Sequence, residues 1–470
     1  MPSDLRVTRR RLLVVMLALA LAAVGVVCPG SAPAPALAAQ QLGAQGAPAE
    51  ESPEVQILRQ AYELLLERYA MPLDPAALVA GAEKGMTQAL HEAGVERVPR
   101  GLTAPGGDAL QQWRVLSQRY QSLAARYADV LPARELAYAA IQGLADSADD
   151  SHTNFLTPEQ YQEHLRWSRG DVSYAGIGAR MRGPLPTVVE VYPDTPAEQA
   201  GLRPGDAIVA VDGRPTTDTR IEEMVTWVRG EEGTPVRLTV QRAITGQEEE
   251  LTLVRARVHV PFVESRRIDD LGYVQLRGFP EPSVVEGVEA AIERLQREGI
   301  RGLILDLRGN SGGRIDVGTR LLSRFVPDGP IYQAVDRRGR VEIASVRDAR
   351  PILTVPLVVL IDEGTASMGE LFAAAVQEHG VGRLIGVTTA GSVAASVVVA
   401  LGDGSALQLS IEQVYSGGGA LLDKVGVTPD EVVELDLIAL RLGHDAQLSR
   451  AIDYLHERVA SREAMPAGAR

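Results

Sequence analysis

A short apolar segment that runs through a turn of small residues into a helix constrains the fold of this chain most. Residues 356–362 form an apolar run of strand length, and residues 370–377 have a helical pattern. The turn between them, with the sequence GTAS, ends at Ser367. Ser367 is therefore predicted to lie at a strand-to-helix corner, where helix amides can stabilise an oxyanion. An N-cap serine without a chemical role is the alternative.

A second apolar segment also ends in a tight turn. Residues 302–307 have the pattern of another buried strand, and the sequence RGNSGG follows at 308–313. Glycine can adopt positive φ and lets the backbone approach a reacting carbonyl, so Gly312 and Gly313 can direct amide donors at it. A simple tight turn is the alternative.

Together these segments resemble the S41 family of serine proteases, the C-terminal processing peptidases. In that family a strand, Asp-Leu-Arg-x-Asn-x-Gly-Gly, a second strand and a Gly-Ser/Thr-Ala-Ser corner follow one another, as they do here. The sequences LGDGSAL at 401–407 and GVTPD at 426–430 match the family's hairpin and closing turn. The resemblance covers roughly residues 55–455. It implies an α/β fold, a mixed α/β catalytic core of the ClpP/crotonase type with an inserted PDZ domain and an N-terminal helical region.

The same resemblance implies roles for individual residues. Ser367 is the expected nucleophile, and the amides of Gly312 or Gly313 and of Met368 are the expected oxyanion hole. Hydrolysis through serine needs no cofactor, because base, nucleophile and oxyanion donors are all protein groups. No spacing of histidines and carboxylates in the sequence indicates a zinc site.

One position departs from the family pattern. Bacterial processing proteases usually carry a general-base lysine 25 residues after the nucleophile, in the sequence Gly-Lys-Gly-Ser-Val-Gln. Here that position (392 minus 367) is Ser392, and Ser396 replaces the glutamine. The two lysines of the chain, Lys84 and Lys424, fall elsewhere. A Ser/Lys dyad at the usual position is excluded, so hydrolysis requires another base within hydrogen-bond reach of the serine.

His152 is the main candidate for that base. It lies in the sequence DDSHTNF at 149–155, which resembles the Asp-x-His-Thr segment of the tricorn-like and retinoid-binding-protein-like branch of the superfamily. That branch also carries an acid three residues before the closing turn, where this chain has Asp423. The resemblance implies a triad of Ser367, His152 and Asp423, in which the carboxylate stabilises the imidazolium. The alternatives are another base, or an inactive pseudoprotease in which His152 only ends a helix.

A segment between these motifs resembles a PDZ domain. Residues 174–179, YAGIGA, match a carboxylate-binding loop, and the sequence AGLRPGD at 200–206 also fits. The amides of Gly176, Ile177 and Gly178 are expected to bind the terminal carboxylate of a peptide that pairs with the adjacent strand edge. A PDZ fold kept for packing or gating, without a ligand, is the alternative.

The amino terminus indicates export. Three arginines at 9–11 precede an apolar run at 12–27, and Ala-Leu-Ala at 36–38 offers a cleavage site, which is the order of a secretory signal. An uncleaved membrane anchor is the alternative, although a run of 16 residues is short for a span. We expect a periplasmic, cell-surface or secreted protein. Cys28, the single cysteine, is lost on cleavage.

The sequence thus divides into six segments. They are a signal peptide at 1–38, a flexible linker at 39–52, a helical region at 53–170, a PDZ domain at 171–258, an S41 core at 259–455 and a tail at 456–470. We predict an exported endopeptidase that cleaves polypeptides recruited by their C-terminus, or else a pseudoprotease that acts as a PDZ scaffold. Expected partners are polypeptides or C-terminal peptides and, in a homo-oligomer, a second copy of the chain. The net charge of −14 argues against nucleic acid.

Two stretches of the helical region share a spacing. Leucine, alanine and glycine at 78, 82 and 85 recur 58 residues later at 136, 140 and 143. This match predicts either a weak internal repeat or an insertion into a helix of the family.

Overall fold

A computed structural model gives the fold of the chain from Glu51 to Glu463, apart from short gaps. It describes residues 51–99, 101, 107–168, 174–183, 185–217, 219, 221–258 and 261–463. The predicted signal peptide, with Cys28 and the cleavage site at 36–38, lies outside the described residues. No helix in the described ranges is long and apolar enough to cross a membrane.

The described chain begins with four helices that pack on one another. They are α1 (Pro53–Arg68), α2 (Pro75–Glu92), α3 (Ala109–Arg126) and α4 (Ala133–Asp146). The side chains of Ser52, Asp74 and Asp108 accept hydrogen bonds from first-turn amides, which fixes where the first three helices begin. The apolar stripes of the four helices meet in one buried cluster, which also takes in Leu407.

The residues with the repeated spacing lie on α2 and α4, which pack against each other. Leu78 on α2 and Leu136 on α4 are both buried in the helical cluster. A Cβ built at Gly143 would lie 2.2 Å from the carbonyl oxygen of Gly81. The shared spacing therefore marks the facing surfaces of two helices, with glycine where their backbones touch.

A methyl group at Gly143 is expected to force α2 and α4 apart. Gly143→Ala should lower the free energy of unfolding by about 1–3 kcal/mol, the usual cost of overpacking, although alanine favours helix. Urea denaturation followed by circular dichroism measures the loss. Gly287→Ala is the matched helical control, because its Cβ would meet the nearest atom at 3.5 Å. Equal stability of the two variants would contradict the close backbone contact.

A β-rich module follows the helices and the short elements β1 (Asn154–Leu156) and α5 (Pro158–Ser168). Its elements are β2 (Tyr174–Gly176), β3 (Ala179–Arg182), β4 (Thr187–Val191), α6 (Pro196–Gln199), β5 (Ala207–Val211), β6 (Arg214–Pro215), α7 (Ile221–Val228), β7 (Pro235–Gln241), β8 (Glu248–Val254) and β9 (Ala256–Val258). Strands β3, β4, β5, β7 and β8 form one antiparallel sheet in that order, and β6 pairs with β5. The module has its own apolar cluster around Ile208 and Met224.

The remainder of the chain is a mixed α/β unit. Its elements are β10 (Val263–Ile268), β11 (Leu271–Leu276), α8 (Ser283–Arg297), β12 (Gly302–Asp306), α9 (Ile315–Leu322), β13 (Gly329–Asp336), β14 (Val341–Val346), β15 (Leu357–Ile361), α10 (Met368–Glu378), β16 (Arg383–Gly386), β17 (Ala394–Ala400), β18 (Ala406–Ser416), β19 (Glu431–Val432), α11 (Leu437–Arg441) and α12 (Ala446–Glu463). One sheet has the order β10, β11, β12, β15, β16, β19, and its neighbours are parallel except for β10 and β11.

Helices cover both faces of this sheet. α8, α9 and α10 pack on one face, and α12 packs on the other through Ala451 and Leu455. Strands that are buried on both faces carry apolar side chains at nearly every position, which explains the continuous apolar runs of the sequence. α12 continues to Glu463, so the boundary predicted between core and tail at 455/456 falls inside a helix.

A second sheet brings the segment around His152 to the catalytic part. β18 pairs with β1, with β13 and with β17. β1 begins two residues after His152, and β17 begins two residues after Ser392. Pairing with one common strand therefore holds both segments in the same region of the molecule.

Candidate active site

Ser367 occupies the corner between β15 and α10. Its backbone has φ 53° and ψ −121°, a conformation that is costly for a residue with a side chain. A Cβ at Gly312 would lie 2.6 Å from Ser367 Cβ and 2.9 Å from the Met368 nitrogen. Only glycine at 312 lets the turn after β12 approach this closely. The predicted strand-to-helix corner is present, with Ser367 at the N-terminus of α10.

A buried carboxylate holds this corner in place. Glu370 is fully buried and accepts four hydrogen bonds. The donors are the amides of Ser367 (3.1 Å), Gly391 (2.8 Å) and Ser392 (2.9 Å) and the hydroxyl of Thr389 (2.5 Å). Burial raises the pKa of Glu370, and the four donors oppose that rise. The nucleophile corner and the loop at 389–392 are therefore one hydrogen-bonded unit.

Two backbone amides next to the corner have no acceptor among the described residues. They belong to Gly313 and Met368, whereas the Gly312 N–H donates to Asn310 Oδ1 at 2.9 Å. Gly313 has φ 136°, a value that favours glycine. Of the amides predicted for the oxyanion hole, this geometry favours those of Gly313 and Met368.

His152 lies in a turn before β1 that Asp150 organises. The carboxylate of Asp150 accepts hydrogen bonds from the His152 amide (2.7 Å), Thr153 Oγ1 (2.8 Å) and Ser410 Oγ (3.0 Å). The ring of His152 has a different partner, because its Nδ1 lies 3.2 Å from Ser151 Oγ. The backbone of the histidine is thus fixed by a carboxylate, and its ring contacts a hydroxyl.

Ser392 connects the histidine turn to the nucleophile corner. Its Oγ lies 2.5 Å from Ser151 Oγ, and its carbonyl oxygen accepts a hydrogen bond of 2.9 Å from the Ser367 N–H. The structure thus brings the segments of Ser367 and His152 together, and the residue between them is the one that stands in place of the lysine.

Asp423 lies near His152 without contacting its ring. Over the described ranges, no hydrogen bond or ion pair joins the two side chains. Burial lowers the pKa of His152, and the negative charges of Asp150 and Asp423 oppose that shift. Burial also raises the pKa of Asp423, against a hydrogen bond from the Val393 amide. The carboxylate predicted for the triad therefore acts on the imidazole through its charge in this conformation.

Lys424 does not supply the missing base. Its ammonium group is more than half exposed and lies 2.6 Å from the carboxylate of Asp149. That hydrogen bond raises the pKa of Lys424. A lysine that is held in its charged form is a poor proton acceptor.

Two amides of the predicted carboxylate-binding loop have no acceptor among the described residues. The amides of Ile177 and Gly178 donate to no described residue, whereas the Ile177 carbonyl accepts the Ala197 N–H at 2.7 Å. A cavity of about 400 Å³ adjoins the loop and extends to Arg277, the residue that follows β11. This loop can therefore receive an anionic group such as a peptide carboxylate.

The β-rich module that contains this loop also contacts the turn that carries Ser367. Arg182 on β3 pairs with Asp362 at 3.5 Å. Asp362 in turn accepts hydrogen bonds from the amides of Gly309 (2.7 Å) and Gly364 (3.0 Å). Strand β3 therefore lies beside the two turns that form the candidate site.

Comparison with known proteins identifies the family. A model of peptidase family S41 matches residues 270–433, and a PDZ-domain model matches residues 187–242. The chain is 31% identical over 373 residues to the carboxyl-terminal-processing protease of Synechocystis sp., covering 75% of this chain and 87% of that protein. The chain belongs to the S41 family. It is also 32% identical to the carboxy-terminal processing protease CtpA of Bacillus subtilis, covering 68% of each protein.

The solved structures agree with this assignment. The photosystem II D1 C-terminal processing protease superposes with a TM-score of 0.57 at 25% identity, covering 83% of this chain and 97% of that protein. The predictions of a mixed α/β S41 core, of a PDZ domain and of membership in a serine protease family are confirmed. In the described part of the chain, no cluster of histidine, cysteine and acidic residues could hold a metal ion. The roles of single site residues remain predictions.

Two residues of this S41 site were not foreseen from the sequence. Glu370 lies three residues after Ser367, the spacing of a capping box, and that pattern could have revealed it. Ser151 could not be found in this way, because its contact with Ser392 joins segments that are distant in the sequence.

Proposed function

We propose that this S41 protein is a serine endopeptidase of the C-terminal processing type, with Ser367 as the nucleophile. The observation that carries the proposal is the corner at Ser367, with positive φ at a helix N-terminus and two adjacent amides that have no acceptor in the described ranges. Such amides stabilise the negative oxygen that forms when a serine attacks a carbonyl. Gly313 and Met368 have this role in the proposal.

His152 is proposed as the general base. Because burial lowers its pKa, the imidazole is neutral at neutral pH and can accept a proton. The Ser367 Oγ–H gives its proton to His152 as the Oγ–C bond forms, and the imidazolium then protonates the leaving amine. Water, deprotonated by the same histidine, hydrolyses the acyl-enzyme and releases Ser367. The charge of Asp423 stabilises the imidazolium in both steps.

Substrates are proposed to be polypeptides that the PDZ domain holds by their free C-terminus. The amides of Ile177 and Gly178 support this role, and so does the adjoining cavity, which Val225 and Val228 of α7 line on one side. The relatives named above are processing proteases of carboxyl termini, which supports the same substrate class. We further propose export by the signal at 1–38, with membrane attachment only if the signal stays uncleaved.

Degradation of an unfolded model protein tests the proposed function. The protein should cleave a substrate with a free C-terminus and should cleave the same substrate more slowly when its C-terminus is amidated. Ser367→Ala should abolish both reactions. Equal rates on the free and amidated substrates would contradict only the proposed role of the PDZ loop. An inert wild type would contradict the proposed peptidase activity.

A pseudoprotease that binds peptides is the second candidate. Two points favour it: Ser392 occupies the position where the family resemblance places the general-base lysine, and Asp423 makes no hydrogen bond to the ring of His152 among the described residues. In that case the loop at Ile177 and Gly178 would bind C-terminal peptides with the same affinity in wild type and in Ser367→Ala. Titration of a labelled peptide, together with absent cleavage, would identify this function.

Removal of the charge at Asp423 is expected to shift the pH dependence of cleavage. The carboxylate favours the imidazolium, so Asp423→Asn should lower the pKa of His152 and move the acid limb of kcat/KM to lower pH. It should also lower kcat on the order of 10-fold, because the imidazolium formed during attack loses a counter-charge. Cleavage rates between about pH 4 and pH 8 measure both effects. Asp453→Asn, at an exposed site on α12, is the control, and a limb that moves to higher pH contradicts the role of Asp423.

A further inference from the structure

A chain of two hydroxyl groups leads from His152 to the position of the missing lysine. His152 Nδ1 lies 3.2 Å from Ser151 Oγ, and Ser151 Oγ lies 2.5 Å from Ser392 Oγ. Each distance lies within hydrogen-bonding range. The candidate base is therefore linked by side chains to Ser392, the one site position where this chain departs from the family's lysine.

Ser392 is itself firmly held. Its N–H donates to Glu370 Oε2 at 2.9 Å, and its carbonyl oxygen accepts the Ser367 N–H at 2.9 Å. The preceding amide, of Gly391, donates to the same buried carboxylate at 2.8 Å. A hydroxyl on this backbone is thus fixed relative to the nucleophile corner, and so is any group that it binds.

Among the described residues, no carboxylate forms a hydrogen bond with the imidazole ring of His152. The carboxylate oxygens of Asp150 accept hydrogen bonds from the His152 amide and from the hydroxyls of Thr153 and Ser410. Asp423 receives the Val393 amide, and among the described residues it forms no ion pair with the imidazole. Lys424, the nearby cation in this cluster, pairs with Asp149. The hydroxyl of Ser151 is therefore the hydrogen-bond partner of the ring, and because a hydroxyl both donates and accepts, this contact is compatible with either tautomer.

The tautomer decides which ring nitrogen can act as a base. In a neutral imidazole one nitrogen carries the proton and the other has a free lone pair. If Nδ1–H donates to Ser151 Oγ, the hydroxyl of Ser151 can donate its own hydrogen bond to Ser392 Oγ. Nε2 then keeps its lone pair and can accept the proton of Ser367. In the opposite tautomer Nε2 carries the proton and the ring cannot accept one there.

We propose that Ser392 is a positioning residue that, through Ser151, holds His152 in the Nδ1–H tautomer with Nε2 free to act as the base. This inference rests on the proposed function for its catalytic meaning, but the tautomer itself does not depend on activity. In the proposed direction of this hydroxyl chain, Ser151 accepts from Nδ1–H, as a carboxylate does in a Ser-His-Asp triad, and Ser392 accepts from Ser151 at the position of the family's lysine.

Nuclear magnetic resonance of the full chain, labelled with ¹⁵N-histidine, tests the tautomer directly. The signals of His152 are those that disappear in His152→Gln. We expect the Nδ1–H form in the wild type above neutral pH, and a shift towards Nε2–H in Ser392→Ala and Ser151→Ala. Ser392→Thr, which keeps the hydroxyl, should retain the wild-type form. An Nε2–H ring in the wild type, or an unchanged ring in Ser392→Ala, would overturn the proposal.

Kinetics give a second readout. Ser392→Ala should lower kcat about 10- to 100-fold with KM within about twofold, because the base loses its orientation while the binding groove is intact. Ser461→Ala, which removes an exposed hydroxyl at the end of α12, should have no effect on either constant. Unchanged kcat in Ser392→Ala, in a wild type that cleaves, would reject this inference and leave the proposed function standing. An inert wild type would reject the proposed function, and the spectra would still decide the tautomer.

Discussion

His152→Ala is expected to lower kcat by about three orders of magnitude or more, nearly as far as Ser367→Ala does. The two losses should be similar because a serine hydroxyl without a base is a weak nucleophile, and a base without the serine has nothing to activate. Combining both substitutions should add little to either one, as expected for residues that act as a unit. Steady-state cleavage of an unfolded protein substrate by the purified variants measures these losses.

A matched control separates the role of His152 from a general effect of removing histidine. His444→Ala changes an exposed histidine outside the site and should leave kcat and KM unaltered. If His152→Ala kept more than about a tenth of the wild-type kcat while Ser367→Ala was inactive, the peptidase would use another base.

Glu370→Ala is expected to destabilise the fold by on the order of 3–5 kcal/mol, since it leaves several buried donors without an acceptor. These donors come from the nucleophile corner and from the loop at 389–392, so the same change should also abolish cleavage. Urea denaturation followed by intrinsic fluorescence measures the free energy of unfolding. Glu370→Gln keeps one acceptor oxygen and should lose less stability than Glu370→Ala.

An exposed glutamate provides the control for this effect. Glu457 lies on α12, is 66% exposed and pairs weakly with Arg450 at 3.5 Å. Glu457→Ala should change the free energy of unfolding by less than about 0.5 kcal/mol. A Glu370→Ala protein as stable as Glu457→Ala would show that the buried carboxylate does not hold the corner.

The sequence was sufficient for the parts of the fold that depend on local pattern. The runs at 302–307 and 356–362 are apolar throughout because β12 and β15 are buried on both faces. Ser367 was correctly assigned to a strand-to-helix corner, because an apolar run of strand length precedes the turn and a helical pattern follows it. The paired glycines at 312 and 313 were predicted to allow a close approach, and Gly312 indeed lies against Ser367.

The geometry of the side chains could not be predicted in the same way. The family resemblance suggested that Asp423 orients His152, but in the structure the ring contacts Ser151, and Asp423 accepts a hydrogen bond from the Val393 amide. Gly312 was an equal candidate for the oxyanion hole until its amide was found to donate to Asn310. The first outcome depends on which polar groups satisfy one another across distant segments, which no local pattern encodes. The second is local, because an asparagine side chain commonly accepts from the amide two residues further on.

A serine at 392, where the family resemblance places a lysine, changes what the proposed site requires. A lysine base must be kept neutral by burial, whereas an imidazole titrates near neutrality and needs only the correct tautomer. The segment at 389–392 is nevertheless bonded to Glu370 and Ser367 in this chain. This loop is therefore held against the nucleophile corner and presents a hydroxyl to the histidine turn.

Covalent labelling of Ser367 by a fluorophosphonate tests the central claim most directly, because it requires an activated serine but no knowledge of the substrate. Mass spectrometry of the full chain locates the label and gives its rate as a function of pH. We predict a single label on Ser367 in the wild type, with a rate that rises through a midpoint below the ordinary histidine pKa of 6.5, and no label in His152→Ala. A wild type that stays unlabelled, or labelling that proceeds equally fast in His152→Ala, would contradict a serine peptidase that uses histidine in place of lysine.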